Sequence, residues 1–268
     1  MERPWDALPR PLLTVIFSKL SLEDRLPATF LVCRGWADAA NDPQCWQSML
    51  PEAISPEDAF IKTLDTLHPF PRPVDSFDAL SRLRNLVRRA EGRITALYIS
   101  PFLTNKPSND DEILRYVAES CPHLKYLSLQ GSFSGSEAAI IEVIHSCRKL
   151  ELLDFSFSTC FSDVVLEELG SCCPNLCGIK RCGDLYYSEA YAIGWNLSQV
   201  KLLNLAWSSL CSRGLSTIVS GCHGLEYLDI TGCSSTNSID TMRDYPWEPL
   251  GCYIAMRGIV CSSMPTDI

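Results

Sequence analysis

Fourteen cysteines and four histidines are the side chains of this 268-residue chain best suited to nucleophilic or metal-binding chemistry. Zinc sites are commonly built from Cys-x-x-Cys pairs, but no two cysteines of the chain stand at that spacing. Cys172, Cys173, Cys177 and Cys182 are crowded without forming such a pair. We therefore predict neither a metal site nor a bound cofactor.

A Cys/His nucleophile pair would be formed by Cys121 and His123. Residues so close on a turn between a helix and a strand rarely point together, and a nucleophile needs a base within hydrogen-bond distance. The G-x-x-x-x-G-K-[ST], G-x-S-x-G and H-E-x-x-H motifs are absent from the sequence. We therefore predict no catalytic residue and no enzymatic activity of the chain itself.

The cysteines belong instead to a repeated pattern, a Leu-x-x-Leu-x-Leu phrase that recurs at intervals of 24 to 30 residues. It begins at Leu124, Leu150, Leu176, Val200 and Leu225, with a degenerate copy at Ile94. Cys121, Cys147, Cys173 and Cys222 each stand three residues before a phrase, at the end of an apolar helical stripe. A cysteine in such a slot acts as a small hydrophobe, so we interpret these residues as buried thiols, with disulfides as the alternative.

Each repeat combines a helix with a short strand. Because alternate residues of a strand point in opposite directions, Leu127 and Leu129 are predicted inside, whereas Tyr126 and Ser128 are predicted outside. A polar residue able to cap the helix opens each repeat. These residues are Asp110 or Asp111, Ser136, Ser162, Ser188 and Ser212. The pattern predicts an α/β fold, a leucine-rich-repeat solenoid of parallel strands plus helices over residues 94–233, with about six repeats of which the first is degenerate.

The outward strand positions form the predicted binding surface. In such a solenoid one side chain per repeat lines a concave face, and aromatic residues among polar ones suit a protein partner. As an alternative, Tyr and Trp at these positions cover neighbouring strands. The candidates for binding a target protein are Tyr98, Tyr126, Asp154, Lys180, Asn204, Trp207 and Tyr227.

Arg181 interrupts the pattern, because it occupies a position at which the repeat requires an inward apolar residue. Burial of an unpaired arginine is costly. Either the strand slips or bulges at this point, or Arg181 has an acidic partner. The sequence leaves both alternatives open.

The segments that flank the repeats are less regular. Residues 51–93 are predicted to be a proline-rich linker, with one helix around residues 56–67, followed by a helix that caps the array. The apolar face of this capping helix consists of Phe77, Leu80, Leu83, Val87 and Ala90. We interpret its arginine-bearing face as solvated, with an anionic-ligand or nucleic-acid patch as the alternative. Residues 234–268 lose the repeat and form an atypical C-terminal tail.

Net charge and hydropathy disfavour two classes of partner, nucleic acid and membrane. The net charge of −9 disfavours nucleic acid, because phosphate binding depends on Lys and Arg. No apolar run is long enough to cross a bilayer, and Asp6 and Arg10 interrupt the region upstream of the short apolar block 12–17, which makes a poor signal peptide. We therefore predict no membrane partner and a cytoplasmic and/or nuclear location.

Residues 1–50 are predicted to form three short helices with an aromatic-rich end. The first helix is apolar over more of its circumference than so small a unit can cover. The unit resembles the F-box, whose pattern is Leu-Pro, Leu-Leu-x-x-Ile-Phe-x-x-Leu, an acid before a Leu, Val-Cys-Arg-x-Trp, and a closing Asp and Trp. The matching residues are Leu8, Pro9, Leu12, Leu13, Ile16, Phe17, Leu20, Asp24, Leu26, Val32, Cys33, Arg34, Trp36, Asp42 and Trp46.

The resemblance implies that this unit docks on a Skp-type adaptor and, through it, on the cullin of an SCF-type ubiquitin ligase. The adaptor-binding residues that it implies are Leu8, Pro9, Leu12, Leu13, Ile16, Phe17, Leu20, Leu26, Val32, Cys33, Arg34, Trp36 and Trp46. The alternative is that the unit only packs on the repeats as an N-terminal cap.

The repeats resemble the cysteine-containing leucine-rich repeats of F-box proteins, particularly those of the plant Skp-interacting type. The resemblance rests on Cys-Pro-x-Leu at Cys121 and Cys173, and on Gly232-Cys233. It implies a substrate-recognition subunit that holds a target protein on its repeats. The alternative is a leucine-rich-repeat scaffold or ligand sensor outside any ligase.

Overall fold

The computed structural model describes residues 8–22, 24–25, 29–50, 79–99, 110–130, 133, 135–159, 161–233 and 253–255. Within these residues, eight strands form one parallel sheet in which each strand pairs with the next along the chain. The strands are β1 (Ser48–Met49), β2 (Ala96–Ile99), β3 (Tyr126–Leu129), β4 (Leu152–Asp154), β5 (Gly178–Lys180), β6 (Leu202–Asn204), β7 (Tyr227–Asp229) and β8 (Tyr253–Ala255). The predicted α/β solenoid is confirmed.

A helix precedes each strand from β2 to β7. These six helices are α3 (Ala79–Ala90), α4 (Asp110–Ser120), α5 (Glu137–Ser146), α6 (Asp163–Cys172), α7 (Tyr187–Asn196) and α8 (Ser212–Gly221). The N-terminal unit contains α1 (Arg10–Ser18), α2 (Arg34–Ala40) and a 3-10 helix (Pro43–Trp46). Helix α1 follows Pro9 and has a proline in its first turn, where no backbone N–H is needed.

The core lies between the sheet and the helices. From β2 to β7, each strand begins two residues after the first residue of its phrase, so Leu127, Leu153, Ile179, Leu203 and Leu228 are in register and buried. The helical stripes face them, and one apolar cluster extends from α1 to the residues around β7. Burial of one such side chain contributes about 1.5–3 kcal/mol, which explains why the phrase and the stripe recur together.

The repeat cysteines are buried thiols. The Sγ of Cys147 donates to the carbonyl of Cys121 at 3.3 Å, and that of Cys222 donates to the carbonyl of Leu197 at 3.5 Å. Burial raises the pKa of Cys121, Cys147 and Cys173 to about 12. All cysteines in the described part of the chain are free, so the interpretation as thiols is confirmed there.

Two of the predicted helix caps are confirmed. Ser136 and Ser162 each accept, through Oγ, the backbone N–H three residues later. Asp111 links neighbouring repeats, because its carboxylate accepts the hydroxyl of Ser136 at 2.8 Å. The predictions for Ser188 and Ser212 are wrong, since α7 and α8 begin earlier and both residues lie inside the first turn.

The strand around Arg181 neither slips nor bulges. β5 keeps its register with β4 and β6, and the N–H of Arg181 donates to the carbonyl of Asn204 at 2.8 Å. The buried guanidinium lies over the ring of Phe161, 5.1 Å from its centroid, and donates to the carbonyl of Cys182 at 3.1 Å. Desolvation raises the pKa of buried Glu189, and the positive charge of Arg181 opposes part of this rise.

The N-terminal unit is joined to the array. β1 pairs with β2, and the buried residues of α1 belong to the same cluster as the repeat core. In α3, Leu80, Leu83 and Val87 are buried as predicted. Part of its arginine face is not simply solvated, because the guanidinium of Arg89 lies 4.8 Å from the ring of Phe30 and 5.1 Å from that of Trp46.

The sheet extends beyond the predicted repeat range at both ends. β1 precedes residue 94, and β8 lies within the segment 234–268 that was predicted to be an atypical tail. The predicted helix around residues 56–67 lies outside the described residues. None of the helices in the described ranges is both long enough and apolar enough to cross a membrane.

Candidate binding surfaces

Two rows of side chains alternate on the strand face that points away from the core. Tyr126 pairs with Leu152, whereas Ser128 pairs with Asp154. The interpretation that Tyr126 and Asp154 share one row is therefore wrong, because the second and fourth residues after the start of the phrase both point outward. The first row, here called the apolar row, contains Ala96, Tyr126, Leu152, Gly178, Leu202 and Tyr227. The second, the polar row, contains Tyr98, Ser128, Asp154, Lys180, Asn204 and Asp229.

The polar row is buried from Ser128 to Asp229. The prediction that Asp154, Lys180 and Asn204 are open to a partner is therefore wrong. Asp154, Asn204 and Asp229 each accept, through the side-chain Oδ1, the backbone N–H two residues later, at 2.9 to 3.1 Å. This is the bond of an Asx turn, which lets the chain leave the strand without an unsatisfied donor.

A chain of polar contacts connects residues of this row from β2 to β5 through Gln130, which directly follows β3. Nζ of Lys180 lies 3.9 Å from Oδ2 of Asp154, and both side chains are fully buried. The amide of Gln130 donates to the same Oδ2, and the hydroxyl of Tyr98 donates to Oε1 of Gln130 at 3.2 Å. These groups stabilise one another, and the buried ones among them, Gln130, Asp154 and Lys180, are not available to a target.

The tyrosines of the strand face also contact neighbouring residues. Tyr126 is buried with Leu50, Ala96 and Leu152, and its pKa is raised well above the ordinary value, first by desolvation and then by the charge of Asp154. The prediction that Tyr126 is exposed and contacts a target is therefore wrong. Tyr98 and Tyr227 are half-buried, and the hydroxyl of Tyr227 donates to Oδ2 of Asp229 at 3.4 Å.

Trp207 is the candidate that remains exposed, and Phe157 is its counterpart two repeats earlier. Both have a positive φ, and each ring lies over the glycine that occupies the equivalent turn of the next repeat. A Cβ on Gly232 would be 2.6 Å from the Trp207 ring, so only glycine fits. Phe157 was missed, although it follows Asp154 at the distance at which Trp207 follows Asn204. We call Phe157 and Trp207 the aromatic rim.

The candidate adaptor-binding residues divide by exposure. Leu13, Phe17 and Trp46 are buried, so they support the surface of the unit and do not form it. Leu8, Leu20, Cys33 and Trp36 are half-buried. Pro9, Leu12, Ile16, Val32 and Arg34 are exposed. Leu26 lies outside the described residues.

Several apolar residues of the unit are exposed, and the sequence identified them only in part. Leu12, Val15, Ile16, Leu31 and Val32 have exposed fractions between 37% and 83%. We call these five residues the apolar N-terminal face. Val15 and Leu31 were not among the candidates, although Val15 follows Leu12 by three residues and so lies on the same side of α1.

Buried Arg25 connects separate segments of the N-terminal unit. Its guanidinium donates to the carbonyls of Cys45, Ser48 and Leu20, the last at 2.6 Å. It also lies 5.4 Å from the centroid of the Trp46 ring. Desolvation lowers the pKa of Arg25, whose burial no sequence pattern indicated.

The predicted separation of Cys121 from His123 is confirmed. Cys121 is fully buried with its pKa raised to about 12 by desolvation, whereas His123 is exposed and bonded to Nζ of Lys149 at 3.1 Å. A thiol with so high a pKa stays protonated near neutral pH and is a poor nucleophile. The pair therefore does not form a nucleophilic site.

One group in the described residues has the side-chain types that ligate metals. His145, Glu168 and Cys172 place one donor atom each within 4.8 Å of one another. Nε2 of His145 lies 2.8 Å from Oε2 of Glu168, an exposed pair that accounts for their proximity. The Cys-x-x-Cys criterion could not detect this group, because it joins α5 to α6.

A family model described as F-box-like matches residues 5–52. Among curated proteins of Arabidopsis thaliana, F-box protein SKIP1 is 28% identical over 257 residues, which cover 88% of this chain and 81% of that protein. F-box/LRR-repeat protein 19 is 30% identical over 265 residues, covering 88% of this chain and 81% of that protein.

A third relative is longer. F-box/LRR-repeat protein 23 of Arabidopsis thaliana is 26% identical over 254 residues, which cover 92% of this chain but only 52% of that protein. The chain thus spans about half the length of this relative. All three similarities cover both the N-terminal unit and the repeats.

Proposed function

The chain belongs to the F-box/leucine-rich-repeat proteins, and from this membership we propose that it is the substrate-recognition subunit of an SCF-type ubiquitin ligase. The N-terminal unit binds a Skp-type adaptor and, through it, a cullin. The repeats hold a target protein. The chain positions the target and takes no part in the chemistry, and it acts in the cytoplasm and/or the nucleus.

The observation that carries the proposal is the apolar N-terminal face. Apolar side chains that remain exposed as a group mark an interaction site more reliably than single ones. Full burial of one Leu, Ile or Val contributes about 1.5–3 kcal/mol, so a partner that covers even part of the face gains substantial affinity. Leu13 and Phe17 beneath it are buried, which holds α1 in place when a partner binds.

The target surface that we propose is narrower than the sequence suggested. Since the buried residues of the polar row are engaged in the fold, contacts fall to the aromatic rim, together with the half-buried Tyr98 and Tyr227. Aromatic residues are frequent among the side chains that contribute most to protein interfaces. The rim places two of them at equivalent positions, two repeats apart.

Co-purification with a Skp-type adaptor tests the proposal. Wild-type chain should retain the adaptor, whereas Val15→Asp with Ile16→Asp should lose it, because two carboxylates would be desolvated at the contact. Both side chains are exposed, so the thermal midpoint should remain unchanged. Phe157→Asp is the matched control and should retain the adaptor.

Failure of the wild-type chain to bind any Skp-type adaptor would contradict the proposal. The competing function is a repeat scaffold outside a ligase, which is favoured by the fact that β1 continues the sheet of the repeats. If the N-terminal unit is only a cap of the repeats, the double variant should lower the thermal midpoint, and the wild-type chain should retain no adaptor. The two functions therefore differ in both measurements.

A further inference from the structure

The helical side of the array carries exposed aromatic residues at one place. Tyr187, Tyr191 and Trp195 of α7 are spaced four residues apart, so they lie along one face of the helix. Their exposed fractions lie between 44% and 70%. The rings of Tyr187 and Tyr191 are 6.3 Å apart, and those of Tyr191 and Trp195 are 5.5 Å apart and stacked. We call these three residues the aromatic ridge.

A groove of about 470 Å³ lies beside the ridge, between α6 and α7. One wall includes the rings of Tyr187 and Tyr191, and the other includes Asp163, Val164 and Glu167 of α6. On the far side of the ridge, a second groove of about 500 Å³ lies between α7 and α8. Large exposed aromatic surface is unusual on the helices of a solenoid unless a partner covers it.

The charge of the first groove indicates which partner fits. Asp163 and Glu167 are exposed carboxylates, and none of the described residues that line this groove is Lys, Arg or His. Aromatic faces attract cations, and adjacent carboxylates strengthen the attraction. A second copy of the chain would bring its own acidic groove, and the net charge of −9 further disfavours self-association.

We propose that the aromatic ridge and the groove between α6 and α7 bind a protein segment rich in lysine or arginine. A cationic side chain lies on the rings of Tyr187 and Tyr191, and Asp163 and Glu167 pair with its charge. The ridge lies on the helices, whereas the polar row and the aromatic rim lie on and beside the strands. Binding at this surface is independent of the adaptor and of the proposed function.

Fluorescence anisotropy with the full chain tests the proposal. The probes are three labelled synthetic peptides that alternate serine with lysine, arginine or glutamine. The lysine and arginine peptides should bind, and their binding should weaken as salt screens the charges. The glutamine peptide should not bind. Equal binding of all three peptides would overturn the proposal.

Variants locate the bound peptide. Tyr191→Ala should weaken lysine-peptide binding roughly two- to thirtyfold, the range of a cation–π contact, whereas Tyr191→Phe should retain it. Glu167→Gln should weaken binding, and Glu119→Gln, which removes an exposed carboxylate of α4 outside the groove, should not. An equal loss in both charge variants would show nonspecific attraction and overturn the proposal.

The experiment also distinguishes the remaining candidate occupant of the ridge, a second copy of the chain. If the chain forms dimers at micromolar concentration and Trp195→Ala dissolves them, the ridge is a self-association surface and the proposal is wrong. Circular dichroism of each variant establishes that it is folded. Tyr187→Ala provides a second ring deletion at the proposed contact and should also weaken lysine-peptide binding, so the outcome does not depend on Tyr191 alone.

Discussion

The N-terminal unit and the polar row distribute their side chains in opposite ways. In the N-terminal unit, Leu12 and Ile16 are apolar and exposed, whereas in the polar row Asp154 and Lys180 are charged and buried. Each arrangement is unfavourable unless a partner group compensates for it. For the polar row the partners lie within the fold, whereas the described residues leave the N-terminal face exposed.

The difference teaches where to look for function in a repeat protein. From the sequence alone, polar residues at outward strand positions suggest a binding surface. In this structure they instead stabilise the turns between strands and helices. The apolar N-terminal face has no such internal role in the described structure. Changes in the polar row should therefore reduce stability, whereas changes in the N-terminal face should reduce binding.

The largest expected effect follows substitution of Asp154. Asp154→Ala removes the carboxylate that lies 3.9 Å from the buried ammonium of Lys180 and also removes the acceptor of the Ser156 N–H. Loss of one partner of a buried pair lowers the free energy of unfolding by about 3–5 kcal/mol. Urea denaturation measures the change.

The exposed ion pair between Lys125 and Glu151 provides the control. Its atoms are 2.7 Å apart, closer than those of the buried pair, yet Glu151→Ala should cost no more than about 1 kcal/mol because solvent screens the charges. Equal losses in the two variants would mean that the polar row is solvated, and the contrast with the N-terminal face would not hold.

Adjacent leucines of α1 separate the two kinds of effect within one helix. Leu13→Ala removes a buried side chain and should lower the free energy of unfolding by about 2–5 kcal/mol. Leu12→Ala should change it by no more than about 0.5 kcal/mol but should weaken adaptor binding. Denaturation and adaptor titration of both variants measure this. A similar stability loss in both would indicate that Leu12 is buried in solution.

The regular part of the fold could be predicted from the sequence because the same apolar and polar positions recur in successive repeats. The strand starts, the cysteine slots and the caps Ser136 and Ser162 all follow from local periodicity. The burial of the polar row could not be predicted, since alternation gives only the direction of a side chain. Whether an outward side chain reaches solvent depends on its neighbours in adjacent repeats.

The surface that we propose for adaptor binding was predicted only in part for a similar reason. The F-box pattern contains both Leu12 and Leu13, but the pattern does not distinguish the exposed residue from the buried one. The spacing of Tyr187, Tyr191 and Trp195 places the aromatic ridge on one face of α7, but the repeat pattern identifies only the apolar stripe of a helix, which in α7 contains the buried Ala190 and Ile193.

The buried thiols of the repeat cysteines predict a pH dependence of stability. The apolar N-terminal face contains no titratable side chain and predicts none. The pKa of Cys147 is raised from 9.0 to about 12 by burial, so the unfolded chain loses this proton before the folded chain does. The stabilisation is complete below pH 9.0 and is lost between pH 9.0 and about 12. Each such thiol contributes a loss of about 1 kcal/mol per pH unit in that window.

Comparison with Cys147→Ala isolates this contribution, because other groups also titrate at high pH. The variant removes the titrating thiol, so its free energy of unfolding should fall less steeply with pH than that of the wild type. Urea denaturation at several pH values across the window measures both slopes. Identical slopes would mean that the slot is hydrated.

The smallest expected effect on stability concerns the helix caps, at which α7 departs from the repeat pattern. Ser162 accepts the N–H of Val165 at 3.2 Å, so Ser162→Ala should lower the free energy of unfolding by about 1 kcal/mol. Ser188 lies inside the first turn of α7, and Glu189 accepts the N–H of Tyr186 at 2.7 Å instead. Ser188→Ala should therefore change stability by no more than about 0.5 kcal/mol. If the two serine variants are equally destabilised, α7 begins where the repeat predicts, and the position of the aromatic ridge relative to α6 changes with it.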